Sequence, residues 1–331
     1  MGIKNLFKLI RELCPEAIET GVSLEEYSGR KVVVDVSNYA YKHIGFGLVS
    51  GFTRMLLVFR NCYIEPIFVF DGEAGELKSD TLAKRHQTRE AARGRHQAAA
   101  EAVQNGDPNA PHGEDLHKLE RAGAHVGADQ MKAIFQVIDT FHAIGTVSSG
   151  ESDPLMAAYV LDGGAAAAVS ADSDMLTYGV EELITNLDTS GLTCTRVRLS
   201  TILDRLQLTM DEFRDLCIVL GTDYNGNPPK IGYKSAYPKI NIYRNLESIE
   251  THMRGQDPTY QIGFDYHRIR RAFTDVDIEE TPYQHGPPLT LEKLQKVGAL
   301  HAPSHLAGRE AGIIRSLYLQ LCKIQGPVNK E

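Results

Sequence analysis

Cysteine is scarce and scattered in this 331-residue chain. The five (Cys14, Cys62, Cys194, Cys217 and Cys322) are odd in number and form no Cys-x-x-Cys pair. That excludes a disulfide framework and a zinc ribbon, and points to reduced thiols inside a cell. No apolar run is long enough to span a bilayer. The opening Met1-Gly2-Ile3-Lys4-Asn5-Leu6 lacks the features of a signal peptide, and Leu6 stands where myristoylation requires Ser or Thr. GxxxxGK[ST] is absent, so no ATP-driven motor is implied. Gly45-Phe46-Gly47 does not complete GxGxxG, so no dinucleotide site is read. There is no internal repeat. An excess of positive charge is also missing: the net charge is −8, which taken alone argues against a nucleic-acid partner. Distribution matters more than the sum, however, and Lys and Arg gather in 78–95 and 230–244.

What is present is a series of short apolar runs between helical patterns. Residues 3–12 suit an amphipathic helix. Lys31 to Val36 is a β-branched run that reads as a buried strand, and 51–62 is helix-like. Pro66 to Phe70 is a second strand. Residues 79–104 favour a helix but carry Lys84, Arg85, Arg89, Arg93 and Arg95 with little apolar periodicity, which suits a helix that binds something polar. Further helices are expected over 113–122 and 127–142, and a strand over 144–148. Asp153 followed by Pro154 is expected to be an N-cap and first helical residue. Ala166 to Val169 is another short strand, and 182–187 and 194–199 are two more. Residues 209–220 form a helix, Gly221 to Ala236 is a turn-rich link to the next helix, 276–303 is loop-rich, and 304–324 is a final helix.

Carboxylates stand at the ends of these runs: Asp35, Asp71, Glu151 with Asp153, Asp172 with Asp174, and Asp223. Any one of them suits a helix cap or a solvated turn. In an open parallel sheet, ligands sit outside the carboxyl ends of the strands, and several acids converging there would repel without cations. Oxygen ligands with neither His nor Cys suit Mg²⁺, or Mn²⁺ in its place. Two such ions about 4 Å apart serve in-line phosphodiester hydrolysis.

Residue order and spacing resemble the flap endonuclease family, the XPG-type structure-specific 5′-nucleases. The resemblance rests on Met1-Gly2-Ile3, Gly29-Arg30-Lys31-Val32, Val69-Phe70-Asp71-Gly72, Leu77-Lys78-Ser79 and Leu82-Ala83-Lys84-Arg85. It continues in Ala171-Asp172-Ser173-Asp174-Met175-Leu176-Thr177-Tyr178-Gly179 and in Asp215-Leu216-Cys217-Ile218-Val219-Leu220-Gly221-Thr222-Asp223-Tyr224. It implies an α/β fold, a mostly parallel central sheet flanked by helices (PIN-like, 5′-nuclease), with a helical arch at about 78–125 and a helix–two-turn–helix. It also implies that Asp35, Asp71, Glu151, Asp153, Asp172, Asp174 and Asp223 bind two Mg²⁺ ions. Lys78 and Arg85 would stabilise charge on the scissile phosphate, and Tyr41 would stack on a neighbouring base. Gly2 would lie near the site. Arg89, Arg93, Lys230, Gly232 and Lys234 would contact DNA, the last three with a K⁺ ion in the link.

This chain departs from that pattern in places. Lys230 replaces the first glycine of Gly-Ile-Gly, Pro238 falls where a helix is expected, and Asp153 replaces a glutamate. The 42–50 segment is short, and the C-terminus lacks a sliding-clamp peptide. The expected organisation is a nuclease region over 1–105, its completion over 126–225, duplex binding over 217–275 and a C-terminal extension over 276–331 packing on the core. The expected activity is Mg²⁺-dependent cleavage of DNA 5′ flaps at single-strand/double-strand junctions in replication, repair or recombination, by a monomer with no membrane partner. The expected location is intracellular: the nucleus, or the host nucleus or cytoplasm for a viral member. A 5′→3′ exonuclease or junction resolvase, a PIN-like ribonuclease and a non-catalytic DNA-binding scaffold are the alternatives.

Overall fold

The computed structural model describes residues 2–72, 79–105, 107, 110–111, 113–276, 280–281, 286–303, 306 and 308–325, without the side chains of 79–85, 114, 117, 121, 280–281 and 325. The chain opens with α1 (Leu6–Leu13), β1 (Ile18–Ser23), β2 (Lys31–Asp35), α2 (Val36–His43), α3 (Leu48–Asn61) and β3 (Glu65–Phe70). There follow α4 (Ser79–Gln104), α5 (Glu114–Gly123), α6 (Ala128–Thr140), β4 (Ile144–Ser148), α7 (Ser152–Leu161), β5 (Ala167–Val169), α8 (Asp174–Tyr178), β6 (Glu182–Asp188) and β7 (Thr193–Arg198). The remainder is helical apart from one short strand: α9 (Leu199–Leu206), α10 (Met210–Leu220), α11 (Tyr233–Tyr243), α12 (Leu246–Gln256), α13 (Tyr266–Thr274), β8 (Glu280–Thr281), α14 (Leu291–Leu300) and α15 (Glu310–Gln325).

The strands form a mixed sheet in the order β1-β7-β6-β5-β2-β3-β4-β8. Its centre is parallel: Val34 of β2 faces Val169 of β5, and Val169 faces Ile184 of β6. Val32, Val33, Val34, Ala167, Ala168 and Val169 are all buried, as expected for strands covered on both faces. The parallel register brings the carboxyl ends of β2 and β5 to the same level, which places Asp35 beside Ser170. Antiparallel pairs close the flanks, with β7 between β1 and β6 and β8 on β4.

The chain divides into two compact units, Met1–Asp35 with Val69–Leu77 and Thr146–Thr281, and Val36–Phe68 with Lys78–Gly145 and Pro282–Glu331. In the first, Leu6, Ile10, Leu155, Met156, Phe213 and Leu216 from α1, α7 and α10 are buried. In the second, α3 buries most of its surface, with Phe52, Met55, Leu56 and Phe59 buried and only Arg54 and Asn61 exposed, which identifies it as a core helix. Ile134, Val137 and Ile138 of α6 and Ile314, Leu317 and Leu321 of α15 are buried too. Helix α4 has no broad apolar face. It packs against α5 through small residues: Ala92 and Ala99 are buried, and a Cβ on Gly123 would meet the Arg93 backbone at 2.9 Å.

Three expectations need correction. The N-cap of α7 is Glu151, so Asp153 lies inside the first turn and its side chain is available to the acid cluster. Helix α11 runs unbroken through Pro238, carried by burial of Ala236 and Ile240 on either side. The 276–303 stretch contains α14, whose Leu294 is buried. Among the described residues, no helix is long and apolar enough to cross a membrane.

Candidate metal centre and nucleic-acid interface

The first unit collects acids at the carboxyl ends of its strands. Asp153, Asp172 and Asp174 each offer a carboxylate oxygen, and the three oxygens lie within 4.8 Å of one another. All three residues are buried, at 8%, 7% and 1% exposure. Ionised carboxylates held this close, away from water, need a compensating cation or proton. An all-oxygen donor set matches a hard divalent ion, so the residues present fit such a metal.

Local hydrogen bonds explain how the chain holds this arrangement. The hydroxyl of Ser170 donates to Asp35 Oδ2 at 2.8 Å and accepts the Asp172 N–H at 3.0 Å. Asp172 Oδ1 accepts the Asp174 N–H at 3.0 Å. Asp71 follows β3 and accepts the Ser152 N–H at 2.8 Å, one residue before Asp153. Gly72 N–H donates to the Gly150 carbonyl at 2.6 Å, and a Cβ at Gly72 would stand 2.1 Å from the Ser148 carbonyl oxygen. Only glycine allows that approach. The Tyr224 hydroxyl lies 3.5 Å from Glu151 Oε2, and Asp223 is its half-buried neighbour in sequence. Asp35 and Asp71 are therefore tied to the central trio through Ser170 and Ser152, and Glu151, the N-cap of α7, stands two residues before Asp153. Burial, then the nearby Tyr224 and Asp153, push the Tyr178 phenol well above its ordinary range. The same negative surroundings act on that ring.

Gly2 lies against this cluster. Its φ is +87°, and a Cβ there would be 2.0 Å from Asp172 Oδ1 and 2.7 Å from Ser173 Oγ. The next residue anchors the segment, with Ile3 N–H donating to Ser173 Oγ at 2.9 Å. The Lys4 N–H reaches the Gly221 carbonyl at 2.9 Å.

The 221–232 link between α10 and α11 is built on asparagines. Asn225 Nδ2 donates to the Ile218 carbonyl at 2.8 Å, and Asn227 Nδ2 to those of Val219 and Leu220 at 3.1 and 2.8 Å. These bonds satisfy carbonyls that a helix end leaves open. Thr222 Oγ1 donates to Asn225 Oδ1 at 2.6 Å. Gly232 is the N-cap of α11, its N–H donating to Ser235 Oγ at 3.1 Å. Lys230, Gly232 and Lys234 are all exposed.

The remaining expected residues belong to the second unit. Tyr41 is half-buried on α2, and the Arg89 guanidinium lies 4.5 Å from its ring centroid, a cation–π pair. Arg93 is exposed on α4. Lys78 lies outside the described residues, as does the side chain of Arg85, whose backbone is part of α4. The residues missed from sequence are Ser170, Ser152, Tyr224, Asn225 and Asn227. Their only signal was adjacency to the acids and to a helix end.

Comparison with known proteins follows the same layout. The XPG N-terminal domain model matches residues 45–92 and the XPG I-region model residues 145–223. Flap endonuclease 1 of Heterostelium pallidum is 31% identical over 301 residues, covering 84% of this chain and 74% of that protein. Flap endonuclease 1 of Aedes aegypti is 30% identical over 311 residues, covering 87% and 79%. The chain belongs to the XPG-type flap endonuclease family. Several solved structures share its fold. The catalytic core of Rad2 in complex with DNA substrate superposes with a TM-score of 0.68 at 17% identity, over 97% of this chain and 100% of that one. Flap endonuclease-1 from Methanococcus jannaschii gives 0.58 at 21% identity over 92% and 96%. Human GEN1 in complex with Holliday junction DNA gives 0.58 at 14% over 96% and 78%. The fold is thus the PIN-like 5′-nuclease fold, its sheet mixed with a parallel centre.

Proposed function

We propose that this flap endonuclease family member is a structure-specific 5′ nuclease that hydrolyses phosphodiester bonds of DNA 5′ flaps near the single-strand/double-strand junction, using two divalent ions. The observation that carries the reading is the buried Asp153–Asp172–Asp174 cluster at the carboxyl edge of the sheet's parallel centre, in a chain about 30% identical to flap endonucleases 1 over most of its length.

In this proposal Asp153, Asp172 and Asp174, with Asp35, Asp71, Glu151 and Asp223 around them, hold Mg²⁺, with Mn²⁺ as a substitute. When bound, the ions supply Lewis-acid stabilisation of phosphate charge and lower the pKa of water. The chain's own contribution is positioning. Ser170 orients Asp35 and Asp172, the Ser152 amide orients Asp71, and Gly2 lets the N-terminal segment close against Asp172. Lys78 and Arg85 place fixed cations on the scissile phosphate, where preorganised charge stabilises the transition state. Tyr41, steadied by Arg89, offers a ring on which an unpaired base can stack. The 221–236 link, with Lys230, Gly232 and Lys234, binds duplex backbone, which fixes register without reading sequence. A K⁺ ion at that link, the monomeric state, action in the nucleus and a role in replication, repair or recombination complete the proposal.

A panel of 5′-flap, nicked, blunt and four-way substrates under single-turnover conditions with Mg²⁺ tests the substrate. Fastest cleavage of the flap, at the junction, is expected. Fastest cleavage of the four-way junction would replace this reading with a resolvase.

A further inference from the structure

Lys230 occupies an unusual place. It is a non-glycine residue with φ +60° on the exposed 221–232 link, and its ammonium does not reach out alone. Lys230 Nζ sits 2.7 Å from Asp257 Oδ2. Asp257 is the residue at the C-terminal end of α12, and its own turn fixes it. Its other oxygen, Oδ1, accepts the Thr259 N–H at 3.1 Å and the Thr259 hydroxyl at 2.7 Å. Its N–H donates to the Met253 carbonyl at 2.9 Å, and its carbonyl accepts the Tyr260 N–H at 2.9 Å.

The segment carrying Asp257 is in turn strapped to the link. Tyr260 is buried, and its hydroxyl donates to the Pro229 carbonyl at 3.1 Å. Ile231 and Ile262 are buried as well. The carboxylate therefore has a fixed address next to Lys230, while the four-carbon lysine stem is free to swing. Both partners face water, at 61% and 34% side-chain exposure. An ion pair this exposed stabilises little, so another anion can take the lysine at small cost. Lys230 and the two Thr259 donors hold the Asp257 pKa down to about 2, so the carboxylate is charged wherever the protein works.

We infer that Asp257 is an internal competitor for the duplex. It holds the Lys230 ammonium in the free protein, hands it to a backbone phosphate when duplex DNA docks, and so lowers duplex affinity and flattens its salt dependence. This rests on the duplex-binding reading of the 221–236 link. Lys230 already has a counter-anion before DNA arrives, so its contact with phosphate displaces Asp257 instead of adding a full new charge pair. Asp257 then stands beside the phosphate backbone as a like charge.

The test is fluorescence anisotropy of the full chain with a fluorescein-labelled blunt duplex in EDTA, over a salt series. The variants are Asp257→Asn, Lys230→Gly and the double variant. The asparagine side chain would keep the Thr259 bonds through its carbonyl oxygen and release the lysine. Asp257→Asn is expected to tighten binding about three- to fivefold at low salt and to steepen the log K against log salt slope by up to about one. In the Lys230→Gly background the same substitution should have a smaller effect, since only the direct repulsion remains. An Asp257→Asn protein that binds no tighter overturns the inference. So does an equal gain with and without Lys230, which would make Asp257 a general surface charge. A parent that does not bind duplex at all removes the duplex-binding reading itself, a distinct result from a parent that binds while Asp257→Asn is unchanged.

Discussion

Replacing Asp172 with asparagine should make the metal-free protein more stable while abolishing its chemistry. The carboxylate oxygens of Asp153, Asp172 and Asp174 lie within 4.8 Å of one another. At an effective dielectric near 20, each ionised pair at that separation repels by about 3.5 kcal/mol. Asp172 takes part in two such pairs, so full ionisation would place about 7 kcal/mol on this residue. The folded protein can avoid part of that by binding a proton. Keeping a proton at pH 7 on a carboxyl of ordinary acidity costs about 4 kcal/mol, which sets the ceiling on relief. Asparagine has the same shape, and its carbonyl oxygen can still accept the Asp174 N–H. Metal-free Asp172→Asn should therefore gain about 2–4 kcal/mol, a rise of several degrees in melting temperature for a chain of this size. The assay is calorimetric or fluorescence-monitored unfolding in EDTA and across a Mg²⁺ series. Mg²⁺ should stabilise the parent by mass action and the variant far less. An Asp172→Asn protein that melts below the parent in EDTA, or an equal Mg²⁺ response in both, would refute the reasoning.

Other substitutions probe the supports of the same site. Gly2→Ala would force a Cβ to within 2.0 Å of Asp172 Oδ1 at a backbone φ of +87°; the displacement should slow single-turnover cleavage on the order of 10²-fold, and an unchanged rate would separate the N-terminal segment from the site. Asn227→Ala removes the amide that caps Val219 and Leu220, for an expected loss of about 1–2 kcal/mol in unfolding free energy, read from denaturant titration. Arg89→Ala removes the cation over Tyr41 and should weaken flap binding by about 0.5–1 kcal/mol, measured by anisotropy in EDTA.

The central strands were legible because apolar β-branched runs ending in aspartate have few other uses. Lys31–Asp35 and Glu65–Phe70 fall where the runs predict them, and parallel register alone then brings Asp35 to Ser170. Strand β1 carried no such signal. Ile-Glu-Thr-Gly-Val-Ser has only two large apolar residues, and it is anchored at the sheet edge by Glu19, which accepts from Arg196 and Arg198 at 2.6 Å. Those partners lie over 170 residues away in sequence. Asp153 illustrates a local rule overridden by its surroundings: Asp-Pro suits an N-cap, but the earlier start of α7, capped by Glu151, leaves Asp153 with Asp172 and Asp174. Pro238 is a second case, where packing around Ala236 and Ile240 offsets a missing hydrogen bond. The serines and asparagines that orient the acids and cap α10 were not legible. A hydroxyl or amide side chain reveals its role only when its partner's position is known.

The buried acids are proposed to work through divalent ions on a flap substrate. Single-turnover cleavage of a 5′-flap duplex, measured with Mg²⁺, with EDTA and with the Asp172→Asn protein in Mg²⁺, tests it most directly. Junction cleavage with Mg²⁺ alone, and none in EDTA or with Asp172→Asn even though flap binding persists, is the predicted result. Full cleavage in EDTA, or an Asp172→Asn protein as fast as the parent, would contradict it.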